Sequence, residues 1–411
     1  MKIIDVAEFY SVNGGGVRTY IGHKLAAGAQ LGCQTVIIAP GPEDRREEAN
    51  GGVIYWVKSP RIPLDHRYHL FTRSAPIHQI LDEERPQVVE GSSPWLGGWA
   101  AAKWRGKAAR ALFIHQDPTS SYPRTLLGPK LGFDRVDRLL GWFWSYLRAL
   151  SDRFDTTVVA SQWLARRLEH YGLRSPSVIP LGISKLDFHG VEPCAETRAA
   201  MAKACGLEDP STPILIAISR HHPEKFVGTM LSGFEAASRH RPIGLFLLGD
   251  GPLRARVERR AAGIPGVHVA GQVDDRALLA RYMASADAMI HGGGFETYGL
   301  VVAEALCSGL PLIVPESGGA GELADTAYSE TYRVGDADGC SQAILRLLDR
   351  DPALLRAAAR AAGEQVPTFD DHFRSLFDLY ERTAQGSKKV RQKPLGSEWV
   401  SGTTGTYPVP G

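Results

Sequence analysis

Short apolar runs recur along the chain at intervals that leave room for one helix between successive runs. Ile3–Val6, Thr35–Ala39, Val53–Val57, Val88–Glu90, Ala111–His115 and Thr157–Ala160 read as strands, with a helix from about Val17 to Leu31 after the first. Past Val178-Ile-Pro-Leu-Gly-Ile-Ser184 the alternation starts again. Strands are expected at Ile214–Ile218, Leu245–Leu248, Val267–Ala270, Ala288–Ile290 and Leu312–Val314, separated by helices near 225–240, 252–262, 274–285 and 298–308. Strand and helix in strict turn predict doubly wound parallel sheets, so the fold class is α/β with two facing Rossmann-like domains and a cleft between them. The first domain is placed at 1–183 and the second at 184–367. A helix near 368–385 follows, with Phe373, Leu376, Phe377 and Tyr380 at helical spacing. The basic, Gly/Ser/Thr/Pro-containing stretch 386–411 reads as a disordered tail.

A length of 411 residues suits two domains that each bury a core. The 47 Lys/Arg against 45 Asp/Glu leave a net charge of +2, too balanced for a nucleic-acid binder. That balance is not uniform: residues 101–150 carry nine Lys/Arg against three Asp/Glu, a local +6. Within them, Val136, Leu140, Phe143 and Leu147 form the packing stripe of a predicted helix. Arg135, Arg138, Leu139, Trp142 and Tyr146 form a second, mixed basic and aromatic face that suits an anionic membrane surface or a lipid-linked acceptor. The bland alternative is a packed helix with solvated arginines. Five scattered cysteines, Cys33, Cys194, Cys205, Cys307 and Cys340, lack metal or redox spacing and point to a reducing compartment. No apolar run reaches membrane-spanning length, so the expected location is the cytoplasm, or the cytoplasmic face of a membrane.

The candidate chemistry centres on His291-Gly-Gly-Gly-Phe-Glu296-Thr-Tyr-Gly299-Leu-Val-Val-Ala-Glu304. A strand, a glycine run and a helix start aim free N–H groups and a positive dipole end at one loop, which suits a diphosphate. Glu296 lies just before the helix, where a carboxylate can accept hydrogen bonds from sugar hydroxyls. Glu304 lies on the loop-facing side of the helix, placed for the two hydroxyls of a ribose. Thr297, Tyr298, Gly299 and Leu300 complete this donor-binding stretch. A nicotinamide-dinucleotide site is excluded at the N-terminus, because Gly14-x-Gly16 is followed by Thr19 and strand two ends without a ribose-binding acid. Asp336-Ala-Asp338 spells a motif that can hold manganese, but its place before a helix is better explained by capping, and no metal ligand is expected.

Two glutamates with seven residues between them resemble the signature of retaining glycosyltransferases of family 4, and further motifs fall in the family's order over about residues 1–385. Ile218-Ser-Arg220-His-His-Pro-Glu224-Lys225 is similar to its Arg…Glu-Lys element, although Phe226 stands where the family usually has Gly. Gly249-Asp-Gly-Pro252 is a structural landmark, and the loop of Gly271-Gln272-Val273 corresponds to the one that meets the nucleobase through backbone groups. The resemblance implies a GT-B fold in which the last helix crosses back to the first domain. It implies transfer of a hexosyl unit from a UDP- or GDP-linked sugar to a hydroxyl acceptor, without other cofactor. Arg220 and Lys225 would neutralise the diphosphate, while Gly15 and Gly16 would reach across from the first domain. His115, at the end of a first-domain strand, would lie near the transferred sugar. A nucleotide-sugar epimerase of the same fold, a non-catalytic sugar-nucleotide sensor and a transferase with a soluble acceptor are the alternatives. A nucleotide-release assay with and without acceptor separates the first from a transferase.

Overall fold

The computed structural model describes residues 1–11, 16–62, 65–117 and 119–386; of 65–67, 121, 122, 126 and 129 it describes the backbone alone. Gly15 and the tail beyond Gly386 lie outside the described residues. The first sheet is built from β1 (Lys2–Val6), β2 (Gln34–Gly41), β3 (Arg45–Ala49) and β4 (Gly52–Lys58) in its first half. A small separate hairpin, β5 (Arg61–Ile62) and β6 (Asp65–His69), follows. The sheet resumes with β7 (Val88–Gly91), β8 (Ala109–Ile114), β9 (Thr156–Val159) and β10 (Ser177–Val178). Its order is β10-β9-β8-β7-β1-β2-β4-β3, parallel except for β3. The second sheet holds β11 (Ile214–Ile218), β12 (Gly244–Leu248), β13 (Val267–Gly271), β14 (Ala288–Ile290), β15 (Leu312–Pro315) and β16 (Ser329–Tyr332), all parallel, in the order β13-β12-β11-β14-β15-β16.

Both sheets start in their own middle and wind outward in two directions. The order reverses between β1 and β7 in one and between β11 and β14 in the other, and ligands of such sheets bind beyond the strand ends at these points. Strands covered on both faces are mostly apolar, with Ile3, Ile4, Leu215 and Ile216 fully buried, although Asp5 on β1 and Glu90 on β7 are buried charges. The edge strand differs. Arg45-Arg-Glu-Glu48 on β3 sets four charged residues along an exposed edge, which discourages pairing with another chain, and its polar sequence hid it from the hydrophobic pattern. The short β5, β6, β10 and β16 likewise escaped that pattern.

The Phe369–Gly386 helix returns from the second domain to the first, where Phe373, Leu376, Phe377 and Tyr380 pack against Ile3, Val88 and Phe113. The two chain crossings run side by side, with the Ile183 N–H donating to the Pro367 carbonyl at 3.1 Å. The single helix predicted to carry Val136, Leu140, Phe143 and Leu147 is divided. Thr125–Leu131, Phe133–Leu139 and Gly141–Ser151 are separate helices, broken at Gly132 (φ +82°) and at Leu140. This reorients the second face: Arg135, Arg138 and Trp142 are exposed, but Tyr146 turns inward. The Tyr146 hydroxyl donates to the Pro94 carbonyl at 2.5 Å and accepts from Trp99 Nε1 at 2.9 Å. Among the described residues no helix is long and apolar enough to cross a membrane.

Candidate active site

The site is assembled where β11 and β14 end. Beyond Ile218 the chain passes through a short turn, Pro223–Lys225, into Phe226, whose φ of +46° falls in the left-handed region. A glycine takes that conformation without steric penalty, while a side chain pays about 1 kcal/mol; this accounts for the small residue expected at 226. Phe226 recovers contact through Phe295, an edge-on ring at 5.8 Å. Across from it, β14 runs into His291-Gly-Gly-Gly294. A Cβ on Gly292 would lie 2.4 Å from the Lys225 carbonyl oxygen, and one on Gly294 would lie 2.1 Å from Val334. Gly292 allows these two loops to touch, and Gly294 lets Val334 pack against the second.

That approach brings three functional groups together. Lys225 Nζ donates to Glu296 Oε1 at 2.7 Å, and His291 Nε2 lies 2.8 Å from the same oxygen. Burial opposes ionisation of Glu296, but Lys225 and His291 outweigh it and hold the carboxyl well below the usual carboxylate range. Glu296 is thus a fixed anion, one oxygen of which is hydrogen-bonded to Lys225 and lies beside His291. Arg220, half exposed, bonds Glu224 Oε1 through NH2 at 3.1 Å.

Glu304 lies in a different field. On the Leu300–Cys307 helix, its Oε1 accepts from Arg276 NH2 at 2.9 Å, while Arg276 also reaches Asp187 at 3.2 Å and covers the Phe188 ring at 4.6 Å. Burial pushes its carboxyl up and Arg276 pulls against that. The helix itself begins at Leu300, with Gly299 (φ +93°) as its cap residue. Tyr298 is buried, Leu300 is 37% exposed, and Val273 packs half-buried against the second-domain core. The short helix Gly318–Glu322 was not singled out from sequence, yet the Gly319 N–H donates to the Glu296 carbonyl at 2.6 Å. A Cβ on Gly319 would sit 2.4 Å from Tyr298 Cα. His291, Arg276 and Asp187 were also missed. For His291 the signal was present, a histidine closing a buried strand just before three glycines. Arg276 and Asp187 are joined only by folding.

Asp275 caps the Arg276–Ser285 helix by accepting from Ala277 and Leu278 N–H, while Asp274 accepts from the Gln272 amide. Pro252 lies ahead of the Arg254–Ala261 helix. Asp336 caps the Ala337–Leu348 helix through the Gly339 N–H at 2.9 Å.

The first domain closes the site from the other side. The Thr297 hydroxyl donates to the His115 carbonyl at 2.8 Å, a hydrogen bond between the two domains. The His115 ring stacks on Phe113 at 3.9 Å and meets the edge of Tyr20 at 5.0 Å. Burial, with Lys24 and His372 nearby, lowers its pKa to about 3, so it is a neutral imidazole at physiological pH. Gly16 opens the Gly16–Gln30 helix, and a Cβ there would meet nothing within 4 Å. Arg135, Arg138 and Trp142 lie on the outer surface with Leu127, Leu131 and Leu139. Trp142 and Leu139 are 69% and 67% exposed.

The profile of Glycosyltransferase Family 4 matches residues 14–185, and that of Glycosyl transferases group 1 matches residues 212–350. The chain is 26% identical over 370 residues to a GDP-mannose-dependent alpha-(1-6)-phosphatidylinositol dimannoside mannosyltransferase of Mycobacterium tuberculosis. That match covers 89% of this chain and 92% of the relative. A GDP-mannose-dependent alpha-mannosyltransferase of Corynebacterium glutamicum is 27% identical, over 78% of this chain and 73% of its own. Among solved structures, a sucrose-phosphate synthase from Thermosynechococcus elongatus superposes with a TM-score of 0.72 at 18% identity. It covers 93% of this chain and 98% of its own, and shares the GT-B architecture.

Proposed function

The chain belongs to glycosyltransferase family 4 and is a nucleotide-sugar-dependent glycosyltransferase, and from that premise we propose that it transfers a mannosyl unit from GDP-mannose to a hydroxyl of a membrane glycolipid with retained configuration. The observation that carries this is the Lys225–Glu296–His291 group, closed from the first domain by the Thr297–His115 hydrogen bond. The mycobacterial and corynebacterial relatives support the donor, and the former supports a phosphatidylinositol-based acceptor class.

In this reading Arg220 and Lys225 take the leaving diphosphate, whose charge grows as the bond from C1 to the β-phosphate oxygen breaks. Glu296, fixed as an anion, accepts hydrogen bonds from the sugar hydroxyls, and Glu304 takes the ribose once Arg276 yields it. With Lys225 and His291 on one oxygen, Glu296 is a poor nucleophile. The acceptor oxygen therefore attacks C1 on the face that the phosphate leaves, and its proton passes to the departing phosphate oxygen. Backbone at Val273 meets the nucleobase, and Gly16 faces the phosphates. No metal is invoked, since Arg220 and Lys225 supply the positive charge and Asp336 is used as a helix cap.

The exposed Leu127, Leu131, Leu139 and Trp142, with Arg135 and Arg138, would rest on the anionic cytoplasmic face of a membrane. One experiment addresses the whole reading: GDP-mannose, GDP-glucose and UDP-glucose are offered with vesicles containing phosphatidylinositol mannosides, with and without EDTA, followed by mass analysis and flotation. Mannosylated lipid from GDP-mannose alone, unchanged by EDTA, with flotation lost at high salt, is expected. Nucleotide release that does not need acceptor would overturn the transfer. Protein that ignores anionic vesicles at low salt would point to a soluble acceptor.

A further inference from the structure

Just after β8, the first domain contains a charge network that the assignments above leave unused. Asp117 accepts from the Thr119 backbone N–H at 2.9 Å, the Thr119 hydroxyl at 2.8 Å, the Ser120 hydroxyl at 2.6 Å and Arg167 Nε at 2.6 Å. Arg167 also grips both oxygens of Asp137, at 3.1 and 2.9 Å. Two carboxylates are thereby saturated by one guanidinium, leaving the network one positive charge short. Arg124 supplies that charge from close by, since its Nε lies 3.6 Å from Asp137 Oδ2.

Arg124 does not hydrogen-bond there, however. Its side chain is 9% exposed, and among the described residues Nε has no hydrogen-bond partner. The guanidinium lies instead on two ring faces, Phe133 of its own domain at 5.2 Å and Phe295 of the second domain at 4.6 Å. Phe295 immediately precedes Glu296, and its ring meets Phe226, which follows Lys225. The turn that bears Arg124 also approaches the Pro223–Lys225 turn. A buried cation, neutralised at a distance but short of acceptors, thus stands against the wall of the phosphate site, on the domain opposite Arg220 and Lys225. Aromatic faces hold a guanidinium in place while leaving its N–H edge for a ligand.

We infer that Arg124 is a phosphate-binding residue contributed by the first domain, engaging a phosphate oxygen in the closed cleft. The phosphate belongs either to the nucleoside diphosphate of the donor or to the headgroup of a phospholipid acceptor, and the inference rests on the transferase reading above. Arg124→Met keeps most of the apolar contact and removes the donors, while Arg124→Lys keeps the charge. Melting temperatures establish that both variants fold. Calorimetry of the full chain with GDP, and then with glycerophosphoinositol at saturating GDP, reads binding without requiring turnover. Steady-state assays compare a phosphatidylinositol mannoside with a neutral alkyl mannoside.

A donor role predicts that Arg124→Met weakens GDP about tenfold or more and raises the GDP-mannose KM with either acceptor, with Lys recovering part. An acceptor role predicts an equal loss confined to glycerophosphoinositol and the phosphate-bearing acceptor. Wild-type-like affinity for both phosphate ligands, or a drop in kcat shared by every substrate pair without a change in KM, overturns the inference and leaves a packing residue. If the wild type moves no mannose at all, the transferase reading fails, while the calorimetric comparison still decides whether Arg124 binds phosphate.

Discussion

At the C-terminal edge of the second sheet, Lys225, Glu296 and His291 meet in a partly open cleft, between loops whose glycines let backbone touch backbone. In the first sheet the comparable charges are sealed inside. Lys24, fully buried, donates to Asp5 at 2.7 Å and also to Glu90, which in turn accepts from Ser92 at 3.0 Å. Burial and the nearby Asp5 push the Glu90 carboxyl up, because two carboxylates share one ammonium away from water. The same topology therefore serves two ends. One edge keeps its charges within reach of a ligand, and the other spends them on holding β1, β7 and the Gly16–Gln30 helix together.

The largest expected effect breaks the sealed cluster. Lys24→Met should destabilise the protein by about 3–5 kcal/mol in denaturant titration, since Asp5 and Glu90 would be left buried without a counter-ion. A Lys24→Met protein of native stability would mean that the first-domain charges are as solvated as those of the cleft. Next comes Glu296→Gln, expected to lower kcat about a hundredfold or more while leaving GDP affinity within about threefold. Its counterpart Glu304→Ala should instead weaken GDP by about 1.5–3 kcal/mol in calorimetry. Equal losses of nucleotide affinity in the two variants would refute the division between sugar and ribose.

The smallest effect sharpens the contrast through pH. His372, on the helix that returns to the first domain, has Nδ1 2.7 Å from the Pro180 carbonyl, so Nδ1 carries the proton and Nε2 accepts from the Tyr20 hydroxyl at 3.0 Å. Burial lowers its pKa to about 4, outweighing the Pro180 carbonyl, with Lys24 adding to the effect. A depressed histidine pKa means that the unfolded chain takes up the proton first. Its contribution is present above about pH 6.5 and is lost as pH falls toward 4. At pH 5 the loss is on the order of 2 kcal/mol relative to pH 7.5. His372→Gln should flatten this slope; parallel stability curves for variant and wild type would show that the ring titrates freely.

What the sequence by itself determined were the features carried by local periodicity and composition. Apolar runs such as Ile214–Ile218 and Ala288–Ile290 coincide with β11 and β14 because strands buried on both faces read as nearly continuous apolar runs. Phe373, Leu376, Phe377 and Tyr380 marked the returning helix by their spacing. The order of Arg220, Lys225, Glu296 and Glu304 was legible as a series of candidate ligand groups. Tertiary structure decided which of them touch. No spacing rule pairs Lys225 with Glu296, Arg276 with Glu304, or Arg124 with Phe295, since these partners are 71, 28 and 171 residues apart. It also turned Tyr146 inward, because the end of one helix and the start of the next at Leu140 cannot be read from a stripe drawn on one straight helix. Periodicity reports which face of a segment avoids water. Charge pairing depends on distances that exist only after the sheets have wound and the two domains have closed on each other.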